Sequence, residues 1–340
     1  MKKLLAVLLG LLIVVGVLFG GSVAAYAILN KPPAGEYPES RRFTVEKGQT
    51  LQEVAFLLQQ NNFIKSHQFF RLIAKLEGVE SYIKSGTYDI SEEKTARSIL
   101  DLLVSGNQQL SKVTIPEGKT ISKTAQILEE NNIVSADVFI TTAQQEGILD
   151  RYNIPGKSLE GFLYPDTYFF PEEYEAEKVI QHLVENCFKH LDEIYPEWEE
   201  LPPDELETKI TMASIIEREY RVSSEAPLIA SVFYNRLSKN IGLNSCATIE
   251  YIITEIQGKE HPEFLTYDDL EIDSAYNTYL WAGLPPAPIC SPGSVALQAA
   301  FYPAETDYYY FVLKDPETGS HHFSKSNDEH IEAKRLYLKD

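Results

Sequence analysis

Residues 45–64, VEKGQTLQEVAFLLQQNNFI, and residues 115–134, IPEGKTISKTAQILEENNIV, are two versions of one design. Laying Gly48 on Gly118 also matches Thr44 with Thr114, Thr50 with Thr120, Ala55 with Ala125, Leu58 with Leu128, and Asn61-Asn62 with Asn131-Asn132. Such self-similarity at a fixed offset marks an internal repeat. Each copy begins with a short extended run, Phe43 to Val45 in the first, that meets a glycine turn. Thr50 then stands as the N-cap of a helix whose apolar positions Leu51, Val54, Ala55 and Leu58 follow helical spacing. Glu53 completes a capping box, in the first copy only. Between the copies, Ser66 to Leu76 and Thr95 to Val104 read as helices flanking a strand at Gly86 to Ile90. The spacing predicts a mixed α+β fold.

Toward the N-terminus, Lys2 and Lys3 precede a run from Leu4 to Asn30 without one charged residue, and Lys31 closes it. About 20 apolar residues span a bilayer, whereas a secretory signal core has only about 7 to 15. A transmembrane anchor is therefore favoured over a cleaved signal peptide, for which Ala25 and Ala27 would supply the small-x-small site. The positive-inside rule keeps the paired lysines in the cytoplasm and exports everything after Lys31. Pro32 to Ser40, rich in Pro, Gly and charge, reads as a tether, and folded structure starts near Arg41. With 340 residues, 44% hydrophobic and 11% aromatic, the chain is long enough for two or three folded units and is not disordered. Its formal net charge of -20 repels phosphate backbones. Nucleic acid is not an expected partner, and a neutral or carbohydrate ligand fits better. The cysteines Cys187, Cys246 and Cys290 form no CxxC pair and no zinc-like spacing, so neither metal nor cofactor is expected. Export permits one disulfide and leaves one thiol over.

From Lys209, KITMASIIEREYR contains no Gly or Pro and reads as a helix. Glu217 shares a face with Ile210 and Ala213, where desolvation would raise its pKa and let it hold a proton near neutral pH. Glu219 projects about 200° around the helix and borders Ile215 and Ile216. Periodicity does not choose between the two carboxyl groups.

Ordered blocks along the chain carry a resemblance. The stretch at 45–64 is similar to the LysM module, a strand-helix-helix-strand fold that often holds N-acetylglucosamine polymers. LEGFLYPDTY (159–168), MASIIERE (212–219), SVFYNRL (231–237), SAYNTYLWAGLPPAPICSPG (274–293) and YYYFVLKDPETGSHHFS (308–324) together resemble the endolytic murein transglycosylase, or YceG-like, family. The resemblance covers nearly all of the part after the anchor. It implies an anchor with a cytoplasmic tip at 1–31, a tether at 32–40 and a LysM-like α+β module at 41–110. A second repeat-like segment at 111–150 would lead into a mixed α+β catalytic domain at 151–340.

By the same resemblance the catalytic glutamate falls on Glu217. Ser214 of its block, Asn235 and Arg236 of NRL, and Tyr276, Asn277, Thr278 and Tyr279 of YNTY are implied to bind substrate. Pro285, Pro286, Pro292 and Gly293 would hold a rigid loop near the sugar. His321 is given no catalytic part. Cys246 stands where some members carry an acidic residue, and Ala287 where glycine is common. Cys246 and Cys290, in loops the family places near the cleft, are expected to form the disulfide.

The implied reaction is cleavage within peptidoglycan strands, at the MurNAc-GlcNAc β-1,4 bond of nascent glycan, leaving 1,6-anhydroMurNAc ends. It would take place at the outer face of the inner membrane, with peptidoglycan synthases as partners. One carboxyl group suffices when the nucleophile belongs to the substrate. A water-using muramidase would need a second, for which Glu219, Glu225 and Asp273 are candidates. A noncatalytic peptidoglycan-binding scaffold of the elongation or division machinery is the reading from another class.

Overall fold

The computed structural model describes residues 2–33, 40–91, 93–106 and 110–338. Most of the expected tether at 32–40 lies outside the described residues. The chain divides into two compact units, one formed by Met1–Ser111 with Pro171–Glu173, the other by Lys112–Phe170 with Tyr174–Asp340.

The first unit opens with helix α1 (Lys2–Leu29). Its Gly10–Leu29 stretch has mean hydropathy 2.3 and is long and apolar enough to cross a membrane. Beyond its end, Asn30 accepts the backbone N–H of Ala96 on its carbonyl (3.0 Å) and that of Arg97 on its side chain (2.9 Å). Those N–H groups belong to the first turn of a later helix and would otherwise lack partners. Strand β1 (Ser40–Val45) then pairs antiparallel with β2 (Gly86–Ser91), Phe43 opposite Tyr88. Helices α2 (Leu51–Gln60) and α3 (His67–Glu77) lie between the strands in sequence, and α4 (Ala96–Ser105) follows. Thr50 and Glu53 form the expected capping box. Val54, Leu58, Phe70, Tyr88, Ile99 and Leu103 meet in one core. Full burial stabilises by roughly 1.5–3 kcal/mol for each large apolar side chain.

In the second unit, β3 (Leu110–Thr114), α5 (Ile121–Glu130), α6 (Ala136–Ala143), α7 (Ile148–Arg151) and β4 (Thr167–Pro171) repeat that order, with β3 paired to β4. Local details recur with it. Thr120 caps α5, as Thr50 caps α2, but without a boxed partner. Cross-strand hydroxyl pairs join Thr44 to Thr87 (3.1 Å) and Thr114 to Thr167 (2.9 Å). Just past its C-cap, each α2-type helix is followed by an asparagine with left-handed backbone, Asn62 (φ 58) or Asn132 (φ 57), a conformation asparagine tolerates. The second copy is thus a complete strand-helix-helix-strand unit with one extra helical turn.

The rest of the unit consists of α8 (Ala176–Ile194), α9 (Pro203–Glu219), α10 (Ala226–Ser238), α11 (Cys246–Tyr251), α12 (Tyr267–Leu270), α13 (Ser294–Phe301), the hairpin β5 (Tyr310–Asp315) and β6 (Ser320–Ser324), and α14 (Asn327–Tyr337). Helix α11 runs on into a π-helical turn at Ile252–Ile256. Helix α9 begins six residues before Lys209, because Pro203 fits the first helical turn, where its missing N–H costs nothing. It ends at Glu219, as Tyr220 turns to an extended conformation. From Ile210 to Ile216 every residue of α9 is buried, among α10, α11 and α13. No solvated face exists there, and this is why the helical wheel could not choose between Glu217 and Glu219.

Candidate active site

The last turn of α9 brings Glu217 to the wall of a cleft of about 790 Å³. The Glu117-Gly118 turn and the first turn of α5 line it as well. Tyr251 and Glu255 come from α11 and its π-helical extension. Glu217 Oε2 accepts the backbone N–H of Gly293 at 2.9 Å. Burial is the main cause that pushes the Glu217 carboxyl up to about 7, and the negative charge of Glu117 adds to it. The Gly293 N–H, the Tyr220 hydroxyl and the Arg218 charge act in the other direction. Arg218 is engaged elsewhere, its Nη2 2.6 Å from Glu250. The result is a carboxyl group that holds a proton near neutral pH at the edge of a solvent-filled groove.

The loop carrying Gly293 is fastened from behind. Ser214 is fully buried, and its hydroxyl donates to Thr211 O (2.7 Å) and accepts the N–H of Ile289 (3.0 Å). Its carbonyl accepts from Cys290 Sγ (3.2 Å). From the cleft side, the Gly118 N–H donates to Ser291 O and the Ser291 N–H to Lys119 O, both at 2.9 Å. Ser214 therefore orients the loop that orients Glu217.

The other residues of the NRL and YNTY segments do not line this cleft. Asn277 is fully buried, donating to Leu270 O and Ile272 O and accepting from the N–H groups of Tyr279 and Leu280. Thr278 accepts the Ser245 N–H at 3.1 Å and pairs with the Thr248 hydroxyl. Asn235 donates to Thr306 O and Tyr308 O. Arg236, 8% exposed, donates to Gly242 O and Leu243 O and lies over the Tyr310 ring. Tyr276 comes nearest, its ring 5.1 Å from that of cleft-lining Tyr251. These side chains hold loop backbone in place, since buried polar groups must be paired.

Nor do the three candidate second carboxylates face Glu217. Glu219 accepts from Ser245 Oγ at 2.5 Å in a separate small cavity beside Cys246, and burial raises its pKa too. Desolvation alone does not distinguish the two glutamates of α9; what each one faces does. Glu225 is bound by His321, through the backbone N–H (3.0 Å) and the ring Nδ1 (2.8 Å). Asp273 is exposed.

The expected Cys246–Cys290 disulfide is not formed: all three cysteines are free. Cys290 is buried against Ser214, while Cys246 starts α11 with its sulfur 3.1 Å from the Tyr279 hydroxyl. Their thiols are thus engaged with other groups.

Glu160 escaped the sequence reading, although it lies in the LEGFLYPDTY block. It is 4% exposed, accepts the Ile121 N–H at the start of α5, and is pushed up to about 8 by burial, with Glu255 adding to the rise. Glu255 in turn accepts from Thr120 (3.1 Å) and Ser122 (2.5 Å). Two acidic side chains thus hold the start of a helix that lines the cleft. A glutamate two residues before a large aromatic, in a run of apolar residues, was the available signal. Among the described residues, no group of three or more His, Cys, Asp or Glu is arranged to hold a metal ion.

Known proteins share this arrangement of elements. The chain is 29% identical over 337 residues to the endolytic murein transglycosylase of Bacillus subtilis, covering 94% of this chain and 91% of that one. It is 27% identical over 318 residues to the endolytic murein transglycosylase of Streptococcus pneumoniae strain D39, covering 84% of this chain but 56% of the streptococcal protein. The crystal structure of a yceG-like protein from Listeria monocytogenes superposes with a TM-score of 0.58 at 30% identity, across 87% of this chain and 99% of that one. The YceG-like family itself matches residues 43–336, the cleft and both repeats included, and the chain belongs to that family.

Proposed function

We propose that this chain is an endolytic peptidoglycan transglycosylase in which Glu217 is both acid and base. What supports the reading above all is a half-buried carboxyl group whose pKa lies at about 7, set on a cleft large enough for sugar rings, with one oxygen held by a backbone N–H. A pKa near the working pH suits a group that must give a proton and then take one. Protonated Glu217 donates to the glycosidic oxygen between N-acetylmuramic acid and N-acetylglucosamine. As that bond breaks, the resulting carboxylate removes the proton of the muramic C6 hydroxyl. The C6 oxygen attacks C1 and closes the 1,6-anhydro ring, which regenerates the acid. The nucleophile is held by the substrate itself, so water has no part.

The names of the relatives support the same reaction class. The apolar N-terminal helix would anchor the chain in the plasma membrane, with Lys2 and Lys3 inside and both units outside. Residues 41–110, the LysM-like copy, would add affinity for glycan, residues 111–150 would join the catalytic unit, and peptidoglycan synthases would be the partners that supply new strands.

Digestion of purified glycan strands with the full-length protein, followed by mass analysis of new ends, tests the proposal. Wild type should release internal fragments whose ends are lighter than hydrolytic ends by one water. Glu217→Gln should lower cleavage by more than the roughly 10²- to 10⁴-fold of a single proton-transfer role, because one group serves both steps. Reducing ends would move the protein to the muramidases, full activity in the variant would remove the catalytic assignment of Glu217, and absence of cleavage by wild type would leave it a binding scaffold.

A further inference from the structure

The two copies of the repeat end their glycine turns in different surroundings. Gly48 and Gly118 share the left-handed backbone (φ 87 and 72). A Cβ at Gly48 would meet nothing within 4 Å, whereas one at Gly118 would lie 3.7 Å from Glu217 Cγ and 3.5 Å from Arg218 Cδ. The residue before the glycine differs as well, Lys47 in the first copy and Glu117 in the second. Glu117 lines the cleft together with Glu217. A Cβ at Gly293 would collide with the Glu117 carboxyl group, and Gly293 is the residue whose N–H holds Glu217 Oε2. Two carboxyl groups therefore flank one glycine, on a turn tied to the Ser291 backbone by two hydrogen bonds.

We propose that Glu117, delivered by the second repeat, is the positioning carboxylate of the site, whose negative charge keeps the proton on Glu217 until the glycosidic oxygen takes it. This rests on the acid/base reading of Glu217. A like charge close to a half-buried carboxyl group disfavours its ionised form. The same repulsion favours the return of the proton: once Glu217 has become a carboxylate beside Glu117, abstraction of the C6 proton relieves it.

Other charged and titratable groups surround Glu217 without replacing this role. Arg218, next on α9, opposes it but is paired with Glu250. The Tyr220 hydroxyl favours the anion, and buried Cys290 has a thiol pKa well above its ordinary value and stays neutral. Lys119, Lys123, Glu255, Lys259, Glu260 and His261 line the same cleft. Among these groups, Glu117 is the one that contributes a negative charge to raise the Glu217 pKa.

The test is the titration of Glu217 in the full-length protein, labelled with carboxyl-¹³C glutamate and held in detergent micelles. Its resonance is identified by its absence in Glu217→Gln. The variants are Glu117→Gln and Glu117→Lys, the latter carrying the first copy's residue. Because Glu117 is exposed, neither should disturb folding. The Glu217 midpoint should fall by about half a pH unit or more in Glu117→Gln, and further in Glu117→Lys. The difference should shrink in 1 M salt, where the Debye length is about 3 Å. The alkaline limb of kcat/KM for strand cleavage should move down with the midpoint. An unchanged midpoint in both variants overturns the proposal. So does loss of cleavage at every pH without a shift, which would make Glu117 a nucleophile or base. The titration needs no turnover, so it decides the pairing even if cleavage by Glu217→Gln were to refute the acid/base reading.

Discussion

Asn277→Ala separates two roles for one residue: a substrate contact, as the family resemblance implies, or a clamp on its own loop, as the hydrogen bonds indicate. The side chain is fully buried and makes four hydrogen bonds to backbone, two donated to Leu270 O (2.9 Å) and Ile272 O (2.8 Å) and two accepted from Tyr279 N (2.9 Å) and Leu280 N (3.3 Å). Each contributes roughly 1 kcal/mol net, and removing one side chain leaves four backbone groups without partners, so the expected loss is about 4 kcal/mol. That is a large part of the roughly 5–15 kcal/mol that stabilises a whole domain. At about 2–4 °C per kcal/mol for a unit of this size, the melting temperature should fall by roughly 8–16 °C. Thermal unfolding followed by circular dichroism reads the loss. Strand cleavage per folded molecule, measured well below the transition, should keep a KM close to that of wild type. A variant that melts with wild type but binds glycan poorly would refute the clamp and return Asn277 to the substrate.

Other consequences follow from buried groups. Glu160 is ionised in the unfolded chain above about 4.5 but holds its proton in the folded state up to about 8. It therefore favours the folded state fully below pH 4.5, and that contribution is lost as pH rises toward 8. Glu160→Gln should flatten this decline, so that urea midpoints of variant and wild type diverge between pH 5 and pH 8 with the variant higher at pH 8; parallel curves would contradict the assignment. Gly161→Ala should destabilise by roughly 2–4 kcal/mol, since Gly161 has φ +90 and a Cβ there would lie 2.8 Å from Ile210 Cγ2 and from Pro288. A melting temperature equal to that of wild type would disprove the close approach. Thiol titration of unreduced protein should find three free thiols on unfolding, with buried Cys187 and Cys290 protected in the native state. Finding a single reactive thiol would restore the disulfide.

What the sequence determined on its own was local. The capped helices after Thr50 and Thr120, the strand at Gly86, and the apolar run that became α1 each depend on residues within a few turns of one another. Capping residues and side-chain spacing mark these segments locally, while packing and the pairing of β1 with β2 supply most of their stability. The ordered blocks also led to the family. The tertiary structure alone decided which carboxyl group opens on the cleft. Glu217 and Glu219 both end a helix that is buried all round from Ile210 to Ile216, and only the packing of the Gly293 loop and the Glu117 turn against that end distinguishes them. The same holds for Asn235, Arg236, Asn277 and Thr278. An amide or guanidinium in a motif can bind a sugar or a carbonyl equally well, and which one it meets depends on backbone brought from far along the chain. Glu117 and Glu160 went unnoticed because a lone glutamate carries no period or spacing. Their chemistry arises from burial and from neighbours that folding alone assembles.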